Sequence, residues 1–159
     1  MKKFYSCLLF NLQILIGQNI IYTKTYLSGK PKIISYIEKK GVDKVRTEEY
    51  FGNGTLKKEG YYQFGNKQGE WKSYYLNGHL KKKENFNKDK LDGEMIEWHQ
   101  NGKKKEKGVF RNGRREGIFF SWKEDGSLYS KQSFVNGLMC YIIKYSDNGS
   151  ITTVDNYCE

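Results

Sequence analysis

Hydrophobic and polar positions alternate along this chain over short segments that end at glycine-containing turns. In the segment from Leu80 to Phe86, these two apolar residues share one face. The opposite face carries Lys81, Lys83 and Asn85. A period of two residues is typical of a β-strand with one buried face. The pattern therefore predicts short antiparallel strands, not helices.

Four sets of equivalent positions recur at intervals of 24 residues, which indicates an internal repeat. The first glycine set is Gly54, Gly78, Gly102 and Gly126, and the second is Gly69, Gly93 and Gly117. The first aromatic set is Tyr62, Phe86, Phe110 and Phe134, and the second is Tyr50, Tyr74, Trp98 and Trp122. Asn-Gly and Asp-Gly pairs accept the positive φ angles of tight turns, so each unit is predicted to be a β-hairpin. We place a second turn of each unit before the second glycine set, at Asn66–Gly69 in one unit and at Asn112–Gly117 in another.

The repeat divides most of the chain into units of similar length. We predict a degenerate first unit at about 28–52, regular units at 53–76, 77–100 and 101–124, a fourth at 125–147 that lacks one residue, and a half-unit at 148–159. Terminal units of a stacked array deviate because they cap it. The predicted fold is all-β: an elongated antiparallel β-solenoid of stacked β-hairpins.

The composition supports this architecture. The chain has 13 Tyr, 9 Phe and 3 Trp, 17 Gly and no Ala, which disfavours a mainly helical protein. We expect the second aromatic set to fill the core, because stacked hairpins need rings at a fixed position. Trp71 and Tyr74 are three residues apart, so they lie on opposite faces unless a bulge intervenes. The sequence leaves these two possibilities open.

Residues 1–19 are predicted to be a signal peptide. Lys2 and Lys3 precede a mostly apolar stretch from Phe4 to Ile16, and the small residue Gly17 follows it. The stretch is too short for a stable transmembrane helix. The mature repeat domain would then span 20–159 and be exported to the periplasm, the cell surface or the medium. The alternative is a first β-strand of the folded domain, which predicts a cytoplasmic protein.

Two cysteines, Cys140 and Cys158, would remain in the mature chain. In an oxidising compartment they could form one disulfide, and the alternative is two free thiols. Neither has the Cys-Cys or Cys-His spacing of a zinc site, and His79 and His99 stand in polar surroundings. We therefore expect no metal and no cofactor, and we expect both histidines at the surface.

Lysines recur with the same period, and the chain has a net charge of +10. Stacking would align Lys57, Lys81 and Lys105 in one row and Lys83, Lys107 and Lys131 in another. A basic face of this kind would hold an anionic membrane, an acidic protein or a polyanion. The candidate residues for an anionic partner are Lys81, Lys83, Lys105 and Lys107. The alternative is that these lysines only keep the strands soluble.

The pattern from Asn101-Gly102 through Phe110, Asn112-Gly113, Gly117 and Trp122 resembles the MORN repeat. It is similar to the bacterial variant found in YwqK-like antitoxins, and the resemblance covers roughly residues 26–157. It implies an elongated array of stacked antiparallel hairpins. The chain departs from the pattern near Cys140 and between Lys39 and Arg46.

Chemistry-bearing motifs are absent from this sequence: it has no phosphate-loop motif and no Ser-His-Asp or Cys-His arrangement that the repeat would bring together. We therefore predict a non-enzymatic, exported binding or scaffold protein with a protein or envelope-surface partner. One alternative is an antitoxin or immunity protein that neutralises a toxin, and another is a binder of anionic membranes. Nucleic acid is disfavoured because no recognition motif is present. The oligomeric state is left open.

Overall fold

The computed structural model describes residues 19–37 and 43–158. The predicted signal peptide lies outside these residues except for Asn19, and so does the alternative strand within 4–16. Within the described ranges, no helix is long and apolar enough to cross a membrane.

The described residues form one open antiparallel sheet of thirteen strands. The strands follow one another in chain order, except that the short β7 pairs only with β6, next to β8. They are β1 Asn19–Thr25, β2 Pro31–Ile37, β3 Lys44–Tyr50, β4 Leu56–Gln63, β5 Asn66–Tyr74, β6 Leu80–Asn87, β7 Lys90–Leu91, β8 Gly93–Trp98, β9 Lys104–Arg111, β10 Arg114–Trp122, β11 Leu128–Val135, β12 Leu138–Tyr145 and β13 Ile151–Asn156. The predicted all-β array of hairpins is confirmed. Strand β1, which precedes the first predicted unit, was not predicted.

The first kind of turn lies at the first glycine set, where Gly54, Gly78 and Gly102 follow Asn and Gly126 follows Asp. In one of these turns the amide of Gly54 donates to the carbonyl oxygen of Phe51 at 2.9 Å. The Asn53 side chain accepts a hydrogen bond from the amide of Thr55 at 3.0 Å. Gly54 has a φ of +94°, a value that side chains rarely tolerate. The glycine and the preceding Asn or Asp therefore have separate roles in this turn.

The second kind of turn contains two residues, both with positive φ, as in a type I′ hairpin. These turns are Phe64-Gly65, Lys88-Asp89, Asn112-Gly113 and Asn136-Gly137. The prediction placed this turn at Asn66–Gly69 in one unit, where the structure has it at Phe64-Gly65 instead. In another unit it lies at Asn112-Gly113, within the predicted segment Asn112–Gly117. Gly69, Gly93 and Gly117 lie within a strand or at its start, with φ of 67°, 118° and 72°. Next to Gly69 and Gly117 the register shifts, so these glycines allow the strand to bulge.

The unit at 125–147 is one residue shorter at its bulge. Ser133 pairs with Tyr141 and Phe134 pairs with Met139, so Cys140 is the single extra residue there. In the preceding unit, three residues of β10 lie between the pairs that flank the bulge, against one residue of β9. The departure near Cys140 is therefore a smaller bulge within the same hairpin.

Rings and a thioether are buried on one side of the sheet, which we call the core face. Trp71, Met95 and Phe119 are 3%, 2% and 1% exposed. They pack edge to face with the first aromatic set, for example Trp71 with Tyr62 at a centroid distance of 5.0 Å and Phe119 with Phe134 at 5.2 Å. The buried column thus lies three residues before the second aromatic set. That set, expected in the core, lies on the opposite side.

Glycines make room for the two largest buried rings. A Cβ on Gly60 would lie 2.1 Å from Trp71, and one on Gly108 would lie 2.3 Å from Phe119. In the intervening unit, which carries Met95, Glu84 stands at the repeat position of these glycines. Glu84 pairs with Trp71 of the preceding unit. The rings therefore cross the backbone of the neighbouring strand at these two glycines.

Candidate binding surfaces

The second aromatic set forms a row on the side of the sheet away from the core. We call this row the ring ladder; it comprises Tyr50, Tyr74, Trp98, Trp122 and Tyr145, all partly exposed. A unit contributes two strands about 4.8 Å apart, so successive rings lie about 10 Å apart. Phe120 stacks beside Trp122, with centroids 6.0 Å apart and an interplanar angle of 26°. The ladder presents an aromatic strip along the array.

A hydrogen-bonded cluster of tyrosines and carboxylates surrounds the first rings of the ladder. Tyr36 and Tyr50 donate to Glu48 at 2.8 and 2.6 Å, and Tyr74 donates to Glu59 at 2.5 Å. Burial, followed by these carboxylates, raises the pKa of all three phenols above its usual range. The phenols are therefore neutral donors that fix the rings, and they cannot serve as bases near neutral pH.

A polar groove lies beside this cluster, with a volume of about 550 Å³. It is lined by Lys44, Arg46, Tyr61, Glu70 and Lys72, among others. Lys44 lies over the Tyr61 ring at 4.2 Å from its centroid. Charged groups of both signs line the groove, so it has no single-sign attraction for an anion.

Three of the four lysines predicted to bind an anionic partner form ion pairs within the chain. Lys83 contacts Glu70 at 2.5 Å, Lys105 contacts Glu97 at 2.8 Å and Lys107 contacts Glu94 at 2.7 Å. The fourth, Lys81, lies over the Tyr75 ring at 5.5 Å from its centroid. The structure thus brings the lysines close to acidic and aromatic partners, which reduces the positive field of the predicted rows.

The same cross-strand ion pair recurs at successive unit junctions, and its polarity is reversed once. Glu70–Lys83 and Glu94–Lys107 occupy equivalent positions 24 residues apart. At the junction one period earlier, these positions hold Arg46 and Glu59, which contact at 2.8 Å. We call these contacts junction pairs. Glu59 stands one period before Lys83 in the predicted lysine row, and its contact with Arg46 explains why the position is acidic there.

Side chains at the first kind of turn join each unit to the next. Tyr75 donates to the carbonyl oxygen of Trp98 at 2.7 Å, and His99 Nε2 lies 2.9 Å from the carbonyl oxygen of Trp122. His79 Nδ1 lies 2.9 Å from the carbonyl oxygen of Gln100. The histidines therefore bridge adjacent turns. The described residues contain no cluster of three His, Cys, Asp or Glu side chains that could hold a metal ion.

A disulfide joins Cys140 of β12 to Cys158 beyond β13. The amide of Tyr157 also donates to the carbonyl oxygen of Cys140 at 2.6 Å. Of the two possibilities that the sequence left open, the structure contains the bonded one. It fastens the end of the described chain to the last full unit.

The period and the hairpins agree with a family comparison. The MORN repeat variant model matches three consecutive segments, residues 67–88, 91–112 and 115–136. Each matched segment contains the two strands on either side of one first-kind turn, for example β5 and β6 in residues 67–88. No match was found among curated proteins. The three matches and the hairpin sheet that contains them identify the segment 67–136 as MORN repeats of the variant type.

Proposed function

We propose that this chain is a non-enzymatic scaffold that binds a protein partner along the ring ladder. MORN repeats are binding modules, and the three matched repeats support that general role. The observation that carries the proposal is one partly exposed ring in each unit on the side opposite Trp71, Met95 and Phe119. Large rings supply contact area at a low entropic cost and dominate many protein interfaces.

The spacing of the ladder defines the kind of partner. Rings about 10 Å apart match apolar side chains that recur every two turns of a helix. A long segment with such a recurrence would contact several units at once. An antitoxin would be one case of this function, with a toxin as its partner, and that subtype stays a prediction.

The internal ion pairs favour a protein partner over an anionic membrane. Lys83, Lys105 and Lys107 each contact a carboxylate of this chain. An anionic surface would have to compete with these carboxylates, and both sets of charges are screened by salt. The ring ladder has no such internal competitor.

Export from the cytoplasm remains part of the proposal. Disulfides persist mainly in oxidising compartments, so the pairing of Cys140 with Cys158 supports it. The predicted signal peptide at residues 1–19 points to the same compartment. Sequencing the mature N-terminus after cell fractionation tests this part directly.

Photo-crosslinking in the native host tests the ladder. A photoreactive amino acid at Trp98 should give a crosslinked product of defined mass, whereas the same group at Tyr129 should not. Tyr129 is 45% exposed but is not part of the ladder, so it controls for exposed rings in general. Equal products from both positions, or none from Trp98, would contradict the proposal.

Truncation of Trp98 should reduce partner binding more than stability. Phe119 is 1% exposed, and its change to Ala should cost about 3–5 kcal/mol. Trp98 is only partly buried, so we expect Trp98→Ala to cost less than half as much. Thermal unfolding of both variants checks this order. A loss for Trp98→Ala equal to that of Phe119→Ala would assign Trp98 to the core.

A further inference from the structure

We infer that two copies of this chain associate head to tail, the outer edge of β1 in one copy pairing with the outer edge of β13 in the other. Among the described residues, these two strands are the edges of the sheet. On or just after β13, Ile151, Val154 and Tyr157 are 58%, 64% and 57% exposed. The strand has no Lys and no Pro, the residues that usually prevent edge pairing.

One edge strand precedes a first-kind turn and the other follows one. Inside the sheet, a strand of the first type always pairs with strands of the second type. Strands that follow a first-kind turn alternate with strands that precede one. β13 follows such a turn and β1 precedes one. Inside the sheet, β10 pairs with the free side of β9 and β12 with that of β11. The outer edge of β13 is the equivalent side of its strand, and there it has no partner among the described strands. A β1 strand from another copy has the matching pattern.

The core column supplies the register. Tyr22 pairs with Ser35 as Phe119 pairs with Gln132, so Tyr22 occupies the column of Phe119. Yet Tyr22 is 51% exposed, because no described strand lies on its other side. Tyr157 lies in the frame of Phe134, which is only 8% exposed. Each end of the array thus exposes a ring whose counterparts inside the array are buried or partly buried.

In the inferred register these two exposed rings meet. Inside the chain, Trp71 packs edge to face on Tyr62 of the preceding strand at 5.0 Å, and Phe119 packs on Phe110 at 5.5 Å. Tyr22 of one copy would contact Tyr157 of the next. Asp155 stands where Gly60 and Gly108 make room for a ring, so Tyr22 would pack beside the neighbouring strand and not across its backbone. The association would therefore continue the core face across the junction between copies.

Charge and backbone geometry are compatible with this pairing. Asp155 is the only charged residue of β13, and Lys24 the only one of β1. The register places Lys24 opposite Thr153 and diagonal to Asp155 on one face, where opposite charges attract. The disulfide holds the residues after β13 against β12, on the inner side of β13. The outer edge is left accessible.

This contact joins two different surfaces, so it does not close on itself at a dimer. It also uses the sheet edges and leaves the ring ladder free. The inference is therefore independent of the proposed partner surface, and either can fail alone.

Sedimentation velocity over a concentration series tests the inference on the full chain at its natural N-terminus. Wild-type protein should form species beyond the dimer as concentration rises. Tyr22→Asp places a carboxylate in the new core contact opposite Asp155, and we expect it to remain monomeric. Tyr129→Asp, with a similarly exposed ring in an inner strand, should associate like the wild type. Circular dichroism confirms that each variant is folded.

Mixing two blocked variants distinguishes this arrangement from pairing of like edges. Tyr22→Asp has a blocked β1 edge, and Tyr157→Asp has a blocked β13 edge. Each alone should be monomeric, and their equimolar mixture should form a dimer and stop there. Three results would overturn the inference: a monomeric wild type at every concentration, dimers of Tyr22→Asp alone, or no dimer in the mixture.

Discussion

At the scale of single residues, the core depends on matched sizes across neighbouring strands. Trp71 and Phe119 lie over Gly60 and Gly108, at positions where any Cβ would overlap the ring. In the intervening unit the glycine is replaced by Glu84, and the buried residue of that unit is the flexible Met95. A thioether adapts to an irregular space more readily than a ring does. Ring and glycine therefore form a pair.

We expect Gly108→Ala to destabilise the protein by about 1–3 kcal/mol or more, because its methyl group would overlap Phe119. Thermal unfolding measures the loss. Gly52→Ala is the matched control, since a Cβ there meets nothing within 4 Å and should leave the midpoint nearly unchanged. Adding Phe119→Met to Gly108→Ala should recover part of the stability. Additive losses in the double variant would contradict the pairing.

The sequence could show which positions repeat, but not which repeated position is buried. The second aromatic set is uniform in chemistry, and we expected it in the core. The column in question instead holds the partly exposed Thr47 and the buried Trp71, Met95, Phe119 and Ile142, which share no residue type. Its burial follows from the space left by the facing residue, so a search for recurring residue types does not find it.

At the scale of the elements, a hairpin is joined to the next by ion pairs and turn contacts as well as by its strand ladder. The junction pairs lie on the face of the ring ladder, and the turn contacts of Tyr75 and His99 lie at one end of the strands. Both recur with the unit. Each junction is thereby specified in register.

Stability at acid pH should depend on the junction pair of Glu70. Hydrogen bonds from Lys83 and then Lys72 hold the pKa of Glu70 below its usual value. A carboxyl group with a lowered folded-state pKa stabilises the fold above its unfolded pKa, about 4.3, and this contribution is lost as pH falls through the folded value. Since the two side chains of the closest pair are 34% and 38% exposed, the effect should not exceed about 1 kcal/mol.

Urea unfolding of Glu70→Gln at pH 7 and pH 3 measures this contribution. The variant should be less stable than the wild type at pH 7 and nearly equal to it at pH 3. Glu124→Gln, at an exposed turn position, should match the wild type at both values. A Glu70→Gln deficit that persisted unchanged at pH 3 would assign it to packing instead of charge.

Hairpins and their period were predictable, but some turns of the second kind were not. Asn-Gly or Asp-Gly marks the first kind, and Asn-Gly also marks two turns of the second kind, Asn112-Gly113 and Asn136-Gly137. The second kind includes Phe64-Gly65 and Lys88-Asp89, where Phe64, Lys88 and Asp89 take φ angles of 50°, 48° and 65°. Phe and Lys are uncommon in left-handed conformations, and sheet pairing on both sides imposes them on Phe64 and Lys88. Gly65, Gly113 and Gly137 did keep multiples of the 24-residue period, a signal that could have located these turns.

At the scale of the whole molecule, each strand contacts only its neighbours along a single sheet. Such an array has stability that is approximately a sum over units and junctions, so its ends open first. The disulfide lies at one of these ends. The shape of the array was predictable from the repeat, whereas strand β1 was not, because it precedes the first recurring glycine.

Removal of the disulfide should loosen the last strands. Cys140 and Cys158 enclose a separation of 18 residues, and closing a loop of this length is worth about 3 kcal/mol in the chain-entropy model. We expect a Cys140→Ser, Cys158→Ser double variant to lose hydrogen-exchange protection in β12 and β13 before the central units. Reductant should reproduce this change in the wild type and have no effect on the variant. Equal protection in both proteins would show that the bond does not secure this end.

The reversed junction pair limits how the array can shorten during evolution. Loss of residues 77–100 would bring Glu70 next to Lys107 and preserve an attraction between the fused neighbours. Loss of residues 53–76, a segment of equal length, would bring Arg46 next to Lys83 and oppose two cations. Units with equivalent glycines and rings are therefore not interchangeable, because their junction charges differ. A deletion by recombination would be tolerated between units whose junction pairs have the same polarity and would be destabilising where the polarity is reversed.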